Sequence, residues 1–235
     1  MSRSRPPAVW FAEEPPRRPR LSRERIVRAA VALLDAEGVA GLSMRRLAAR
    51  LDAGVMSLYE YVGGKEDVLD LAVDEVVAGI ELPGTDDLPW REALTRQLVR
   101  SRRVMRRHPW LPALMATRPL LGPHSLARSE FFYATLARAG LEGPRLTAAV
   151  GALTYYVQGY AAMENLWRHR MRDSGEEAEL RRQAQEFIAQ HAGRYPTLTR
   201  HARLDDDDFD GQFALGLETV LDGIEAQLAG RGTAP

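Results

Sequence analysis

Cysteine is absent from the 235 residues of the chain, and lysine nearly so, Lys65 being the only one among 32 basic residues. Without cysteine there is no disulfide framework, no thiol nucleophile and no thiolate metal site. No apolar run reaches the about 20 residues that a membrane-spanning helix needs, and no apolar core of the signal-peptide kind is present. A cytoplasmic protein with no membrane contact is therefore expected. Strand-like alternation bounded by turns is also missing; apolar residues recur at spacings of three and four, so the expected fold class is all-α. The five histidines, at 108, 124, 169, 191 and 201, show no i, i+4 pairing with one another, and no convergent acid–base set accompanies them. The sequence predicts no catalytic residue, no metal and no cofactor. An all-α enzyme is the rival reading, and it would need an acid–base set that is not visible.

What is present is an uneven charge. The formal net charge is zero, yet residues 1–65 carry 12 Arg and Lys against 7 Asp and Glu, and the remainder 20 against 25. A basic module on an acidic body suits contact with nucleic acid, because positive charge collects where phosphates are met and is discouraged elsewhere. Residues 1–20 hold five Pro and five Arg without helical period. They predict a disordered basic Pro-rich arm, either a plain tail or an extension that samples phosphates or the minor groove. Trp10-Phe11 within it has no assigned role.

The stretch from Gly41 to Lys65 predicts two short helices and a tight turn. Ser43 stands where an N-cap belongs, and Leu47 and Leu51 recur one turn apart. Asp52-Ala53-Gly54 reads as the turn, Asp and Gly tolerating the left-handed conformation that ends many helices. A second helix is expected over Val55–Tyr61. At 100° per residue, Leu58 and Val62 share its inner face, Met56 and Glu60 point outward with Ser57 beside them, and Tyr59 and Tyr61 lie on the flanks. A helix this short must pack on Leu47 and Leu51 to be stable. The outward face is then free for base edges, while Ser43, Arg45 and Lys65, with Arg46 and Arg50, flank it as phosphate contacts.

Ser43-Met-Arg-Arg-Leu-Ala-Ala-Arg-Leu51, followed after six residues by Leu58-Tyr59, an aromatic at Tyr61 and then Lys65, resembles the DNA-binding domain of the tetracycline-repressor (TetR) family. The family's spacing is kept, with Asp52 for Gly, Ala53 for Val, Gly54 for a polar cap and Tyr61-Val62 for His-Phe. The resemblance implies a homodimeric, ligand-responsive transcriptional regulator, most simply a repressor, that binds a palindromic DNA operator. An effector-independent, architectural DNA binder is the other alternative. The implied division is the arm at 1–20, a helix-turn-helix domain at 21–66, and a helical effector-binding and dimerisation domain at 67–235.

Ahead of the reader pair, Ser22 opens a support helix that Gly38 stops. Behind it, Val68 to Val77 continue as a fourth amphipathic helix ending near Ile80, then Glu81 to Pro89 form a linker. Six further helices are expected: Trp90–Arg107, Trp110–Thr117, His124–Ala139, Pro144–Arg172 interrupted at Gly151 and Gly159, Glu176–Ala192 and Asp208–Leu228. The Tyr155, Tyr156, Met163 and Trp167 stretch reads either as a core helix or as the wall of a mostly apolar pocket for an apolar or aromatic effector. Met105, Trp110, Leu114, Met115 and Thr117 join that candidate pocket from neighbouring helices. Thr117-Arg118-Pro119 resembles a segment of the tetracycline-binding branch, but Leu114 replaces its magnesium-associated His, which argues against a magnesium–tetracycline effector. Asp206-x-Asp208-x-Asp210-Gly211 begins like a calcium loop, yet its twelfth position is Leu217, so it reads as acidic charge at a helix N-terminus. Phe213, Leu217, Val220 and Ile224 form a stripe that is either core or a partner seam. The family resemblance implies the seam.

Overall fold

The computed structural model describes residues 21–82, 88–173, 175–204 and 208–229. The N-terminal arm with Trp10-Phe11, the linker centre at 83–87 and Asp206 lie outside them. Every regular element among the described residues is helical: α1 Arg23–Gly41, α2 Met44–Arg50, α3 Val55–Leu58, α4 Lys65–Ala78, α5 Trp90–Arg107, α6 Leu111–Thr117, α7 Pro123–Arg138, α8 Gly143–Asp173, α9 Gly175–Gln190, α10 Pro196–His201 and α11 Phe209–Ala229.

The expected all-α class is observed, with three local differences. Helix α3 is a single turn; the chain from Tyr59 to Val62 continues in tight turns, with Tyr59 and Tyr61 N–H groups reaching back three residues. Helix α8 is not interrupted at Gly151 or Gly159. A helical glycine costs about 1 kcal/mol against alanine, and packing on α5, α6, α7 and α11 along this long helix offsets it. The short α10, with Pro at its first turn and no buried residue, carries no apolar period that the sequence could reveal. At Gly38 (φ 67°) the regular part of α1 ends as expected, and a last turn runs on to Gly41.

A continuous core runs from Ile26 and Leu47 at the DNA-reading end to Leu153 and Leu217 in the body. Helix α4 is its hub, packing on α1 on one side and on α6 and α7 on the other. Its buried face holds Val68, Leu69, Ala72, Val73, Val76 and Val77. The helix that the sequence divides from the reader at residue 66 thus belongs to both parts. Polar ties reinforce the junction. Asp35 of α1 accepts from Trp110 Nε1 at 2.6 Å and lies 2.7 Å from His108 Nδ1. Asp74 of α4 accepts from the Ser125 and His124 N–H groups that open α7, and from Ser125 Oγ.

On the far side, α11 lays Phe213, Leu217 and Ile224 into the core of the chain itself, each 2–3% exposed, with Val220 half-buried. Three of the four residues expected at a partner seam are therefore buried within the chain itself. The core alternative fits their burial, since their stripe faces α8 and α5. Tyr156 and Tyr160 of α8 donate to the Phe213 and Phe209 carbonyls at 2.8 Å, which satisfies both hydroxyls within the chain. Asp208 caps α11, its Oδ1 accepting from Gly211 N–H at 2.9 Å. Asp208 and Asp210, the described part of the acidic run, stand at the N-terminus of α11 as expected.

Candidate nucleic-acid interface and effector cavity

The reader is built as the spacing requires. Ser43 is the N-cap of α2, its hydroxyl accepting from Arg46 N–H at 3.3 Å. Asp52 takes the left-handed conformation (φ 50°), alone among the described non-glycine residues. Around it, Ala53 N–H bonds Ala48 O and Asp52 N–H bonds Ala49 O, the paired bonds of a Schellman helix end. Gly54 then begins α3 without a side-chain cap. Leu58 and Val62 are buried, while Met56 is 77% exposed, Tyr59 and Glu60 are exposed and Ser57 is half-buried. The outward surface is thus the one the periodicity assigns.

The cations around this surface divide into two groups. Arg45 and Arg50 are exposed, with no ion pair among the described residues. Arg46, in contrast, turns back to Glu37 and to the Gly41 carbonyl. Lys65 Nζ donates to the Val39 carbonyl at 3.2 Å, and Arg23 holds the Tyr61 carbonyl at 3.3 Å. Lys65 therefore fastens the start of α4 to the end of α1, whatever else its remaining protons meet. Tyr61 is half-buried against the core.

In the body, a cavity of about 600 Å³ lies among α5, α6, α7 and α8, with Val77 of α4 in its wall. Met105, Met115, Phe132 and Val157 make it apolar; Ser129, Thr154 and Gln158 add polar groups, and Arg118 and Arg128 add charge. Of the residues expected at a ligand site, Met105, Met115 and Tyr155 line this cavity. Trp110, Leu114 and Thr117 sit instead at the junction, Leu114 and Thr117 beside Lys65 and Leu69. Tyr156 packs on Phe213 of α11. Met163 and Trp167 line a separate cleft of about 420 Å³ with Leu180 of α9 and Phe209.

Two arginines escaped the sequence reading as site residues. Arg118 reaches from the end of α6 to α4, pairing with Asp70 at 2.5 Å and with Glu66, while its buried Nε has no partner. Arg128 sits on the buried face of α7, and burial pushes its guanidinium down to about 10. The signal for Arg128 was its place in the apolar spacing, three residues before Phe131 and four before Phe132.

Comparison with known proteins agrees with this geometry. Residues 26–72 match the model of bacterial regulatory proteins of the tetR family, and residues 82–228 match the tetracyclin repressor-like C-terminal domain. An HTH-type transcriptional regulator of Saccharopolyspora erythraea is 42% identical over 227 residues, covering 96% of this chain and 94% of that protein. The HTH-type transcriptional repressor DrrR1 of Streptomyces coeruleorubidus is 38% identical over 234 residues, covering 95% and 85%. Among solved structures, the Streptomyces coelicolor TetR family protein ActR in complex with actinorhodin superposes with a TM-score of 0.78 at 30% identity, over 89% of this chain and 99% of that one. A helix-turn-helix reader with free outward residues, joined through α4 to an all-helical body that holds a cavity, places this chain in the tetR family of transcriptional regulators.

Proposed function

We propose that the protein is a homodimeric repressor that binds a palindromic operator through α3 and is released from it by a small molecule held in the cavity among α5, α6, α7 and α8. Val77 carries this reading: it belongs to α4, the helix that begins at Lys65 beside the reader, and it forms part of the cavity wall. Anything that displaces Val77 moves the helix on which the reader is mounted. Two readers must sit about one DNA turn apart, roughly 34–36 Å, to engage both half-sites, so a small rotation of α4 in each subunit is enough to weaken the operator. Met56, Ser57 and Glu60 face base edges, with Ser43, Arg45, Tyr59, Tyr61 and Lys65 around them.

The partner surface is the outward side of α8 and α11. Ala152, Gly159, Ala162 and Leu166 on α8 and Leu215 and Gly223 on α11 are exposed on the monomer. Small and apolar residues at these spacings allow two helices of a second subunit to approach closely. Such a regulator acts by occupying DNA, needs no enzymatic activity and works in the cytoplasm; no helix among the described residues is long and apolar enough to cross a membrane. The solved relative's complex with actinorhodin supports an effector of apolar or aromatic character.

The test is a gel-shift titration on DNA from around the protein's own gene, repeated with a library of aromatic metabolites. Release of DNA by a compound that also raises the melting temperature supports the reading. Compounds that bind in the body without changing operator affinity remove the effector part of it. For the dimer, Leu215→Arg is the discriminating substitution, because this side chain is 66% exposed and its change leaves the core untouched. Light scattering that still shows a dimer in this variant would move the seam elsewhere.

A further inference from the structure

We propose that the cavity among α5, α6, α7 and α8 takes an aromatic ligand bearing one carboxylate, held by the guanidinium of Arg128; this rests on the cavity being the effector site.

Arg128 is 7% exposed, and its side chain lines the cavity. Its partners are all neutral. Nη2 donates to Ser101 Oγ, Nη1 donates at 3.1 Å to the side-chain oxygen of Gln97 in the amide orientation that satisfies both groups, and the guanidinium lies 5.3 Å from the Phe132 ring centroid. Among the described residues no carboxylate stands within ion-pair distance of it. Asp74, the buried acid on the facing helix α4, is already engaged by the His124 and Ser125 N–H groups and by Ser125 Oγ. The body's other inward-turned arginines are treated differently. Arg102 meets Glu164 at 2.8 Å and Asp210 at 2.8 Å, and Arg118 meets Asp70 and Glu66. Burial lowers the Arg128 pKa to about 10, which still leaves it charged at neutral pH.

A buried cation without a counter-charge is unfavourable, and proteins ordinarily pair it. Arg128 lines the cavity, so a guest there can bring the missing charge. A guanidinium already fixed by two hydrogen bonds and a ring face presents its remaining N–H groups in a rigid fork, which suits the two oxygens of a carboxylate. Around that point the wall is Met105, Met115, Phe132 and Val157, which suits fused rings. One charged end and a flat apolar remainder is the ligand that this lining fits.

Anthracene-2-carboxylate and its uncharged counterpart anthracene-2-carboxamide, both fluorescent, are titrated into the full chain and into Arg128→Met and Arg128→Lys at constant salt. The carboxylate is expected to bind the native protein at least tenfold more tightly than the amide. Arg128→Met should lose that preference while keeping the amide affinity within threefold, and Arg128→Lys should keep part of it. The ligand-free Arg128→Met protein should melt no lower than the native one, because it removes a charge that lacks a counter-ion. Equal affinity of the two probes for the native protein, or a preference that survives in Arg128→Met, overturns the carboxylate while leaving the cavity as effector site. A marked fall in melting temperature in both variants makes Arg128 structural and also overturns it. If neither probe binds the native protein, the effector cavity itself fails, and the carboxylate with it.

Discussion

In the α2–α3 reader, Arg45 and Arg50 stand exposed and make no ion pair among the described residues, whereas in the body Arg102, Arg118 and Arg128 are turned inward. The difference follows from what each region meets. An exposed guanidinium keeps its hydration until phosphate replaces it, so the reader can hold charge in readiness at little cost in stability. A buried one must find its counter-charge inside the fold or in a guest. The body contains both solutions: Arg102 has Glu164 from its own chain, and among the described residues Arg128 has only neutral partners. Internal charge thus separates residues that build the body from those that wait for a ligand.

Removing the internal counter-charge gives the largest expected effect. Glu164 is fully buried and meets Arg102, Arg106 and Arg168. Glu164→Gln removes the buried one of the two carboxylates that Arg102 meets and leaves it Asp210 alone, so it should cost roughly 3 kcal/mol of stability, the low end for a broken buried pair, read by urea unfolding at fixed protein concentration. The comparison with Arg128 breaks if Glu164→Gln is as mild as Arg128→Met. The next effect lies at the junction. Asp74→Ala leaves the first N–H groups of α7 and Ser125 Oγ without their acceptor, a loss of about 1–3 kcal/mol. Because Asp74 ties α4 to α7, the variant should also respond less to effector in the gel shift. A loss of stability with unchanged coupling would separate the tie from the signal.

The two regions also differ in how legible they are. The reader could be read residue by residue because its spacing is local: Ser43 caps the helix that follows it, Asp52 turns the chain beside it, and Leu58 and Val62 face inward by periodicity alone. Except for α10, the body's helices are equally visible from apolar spacing, and α5 has the expected bounds. The body's cavity is not, because a cavity is made by residues far apart in sequence. Met105 and Tyr155 meet there across about fifty positions of chain, while Trp110, Leu114, Tyr156, Met163 and Trp167, equally aromatic or apolar, lie elsewhere, as does Thr117. Periodicity shows that Phe213, Leu217 and Ile224 share a stripe; which partner covers the stripe is a tertiary fact. Arg118 carries a related lesson, since only the fold brings it to Glu66 and Asp70.

A smaller effect separates the reader's cations from one another. Arg45→Ala should weaken operator binding about tenfold, of order 1 kcal/mol, and lower the slope of log affinity against log salt by about one, whatever the DNA sequence. Its melting temperature should not change, because the side chain is exposed and makes no ion pair among the described residues. Lys65→Met removes the same formal charge, but its ammonium also holds the Val39 carbonyl. This variant should lose stability as well as affinity. If both variants melt like the native protein, the bond to Val39 contributes nothing and Lys65 belongs with Arg45. Glu60 sharpens the same surface: a carboxylate beside phosphates is repelled unless it accepts from a cytosine amino group or pairs with Arg45, and Arg45 makes no ion pair among the described residues. Glu60→Gln should therefore alter operator preference in a selection experiment.

The smallest effect tests whether the reader's turn is under strain. Asp52 occupies the left-handed region at φ 50°, where an L side chain brings its Cβ close to the following carbonyl and glycine pays nothing. The two hydrogen bonds of the turn, from Asp52 and Ala53 N–H to Ala49 and Ala48 O, come from the backbone and survive any side-chain change. The backbone strain released in Asp52→Gly should stabilise the fold by about 0.5–1 kcal/mol, less what the Asp52 side chain contributes through its own interaction. That gain is partly offset because glycine also loosens the unfolded chain. The removed carboxylate works in the same direction for DNA, since one negative charge leaves a surface that meets phosphate. Operator affinity should rise slightly at low salt, and the gain should shrink as salt is added. A fall in melting temperature in Asp52→Gly would mean that the Asp52 side chain contributes more to the turn than its strained backbone costs. The turn would then owe its shape to that side chain rather than to the helix end that precedes it.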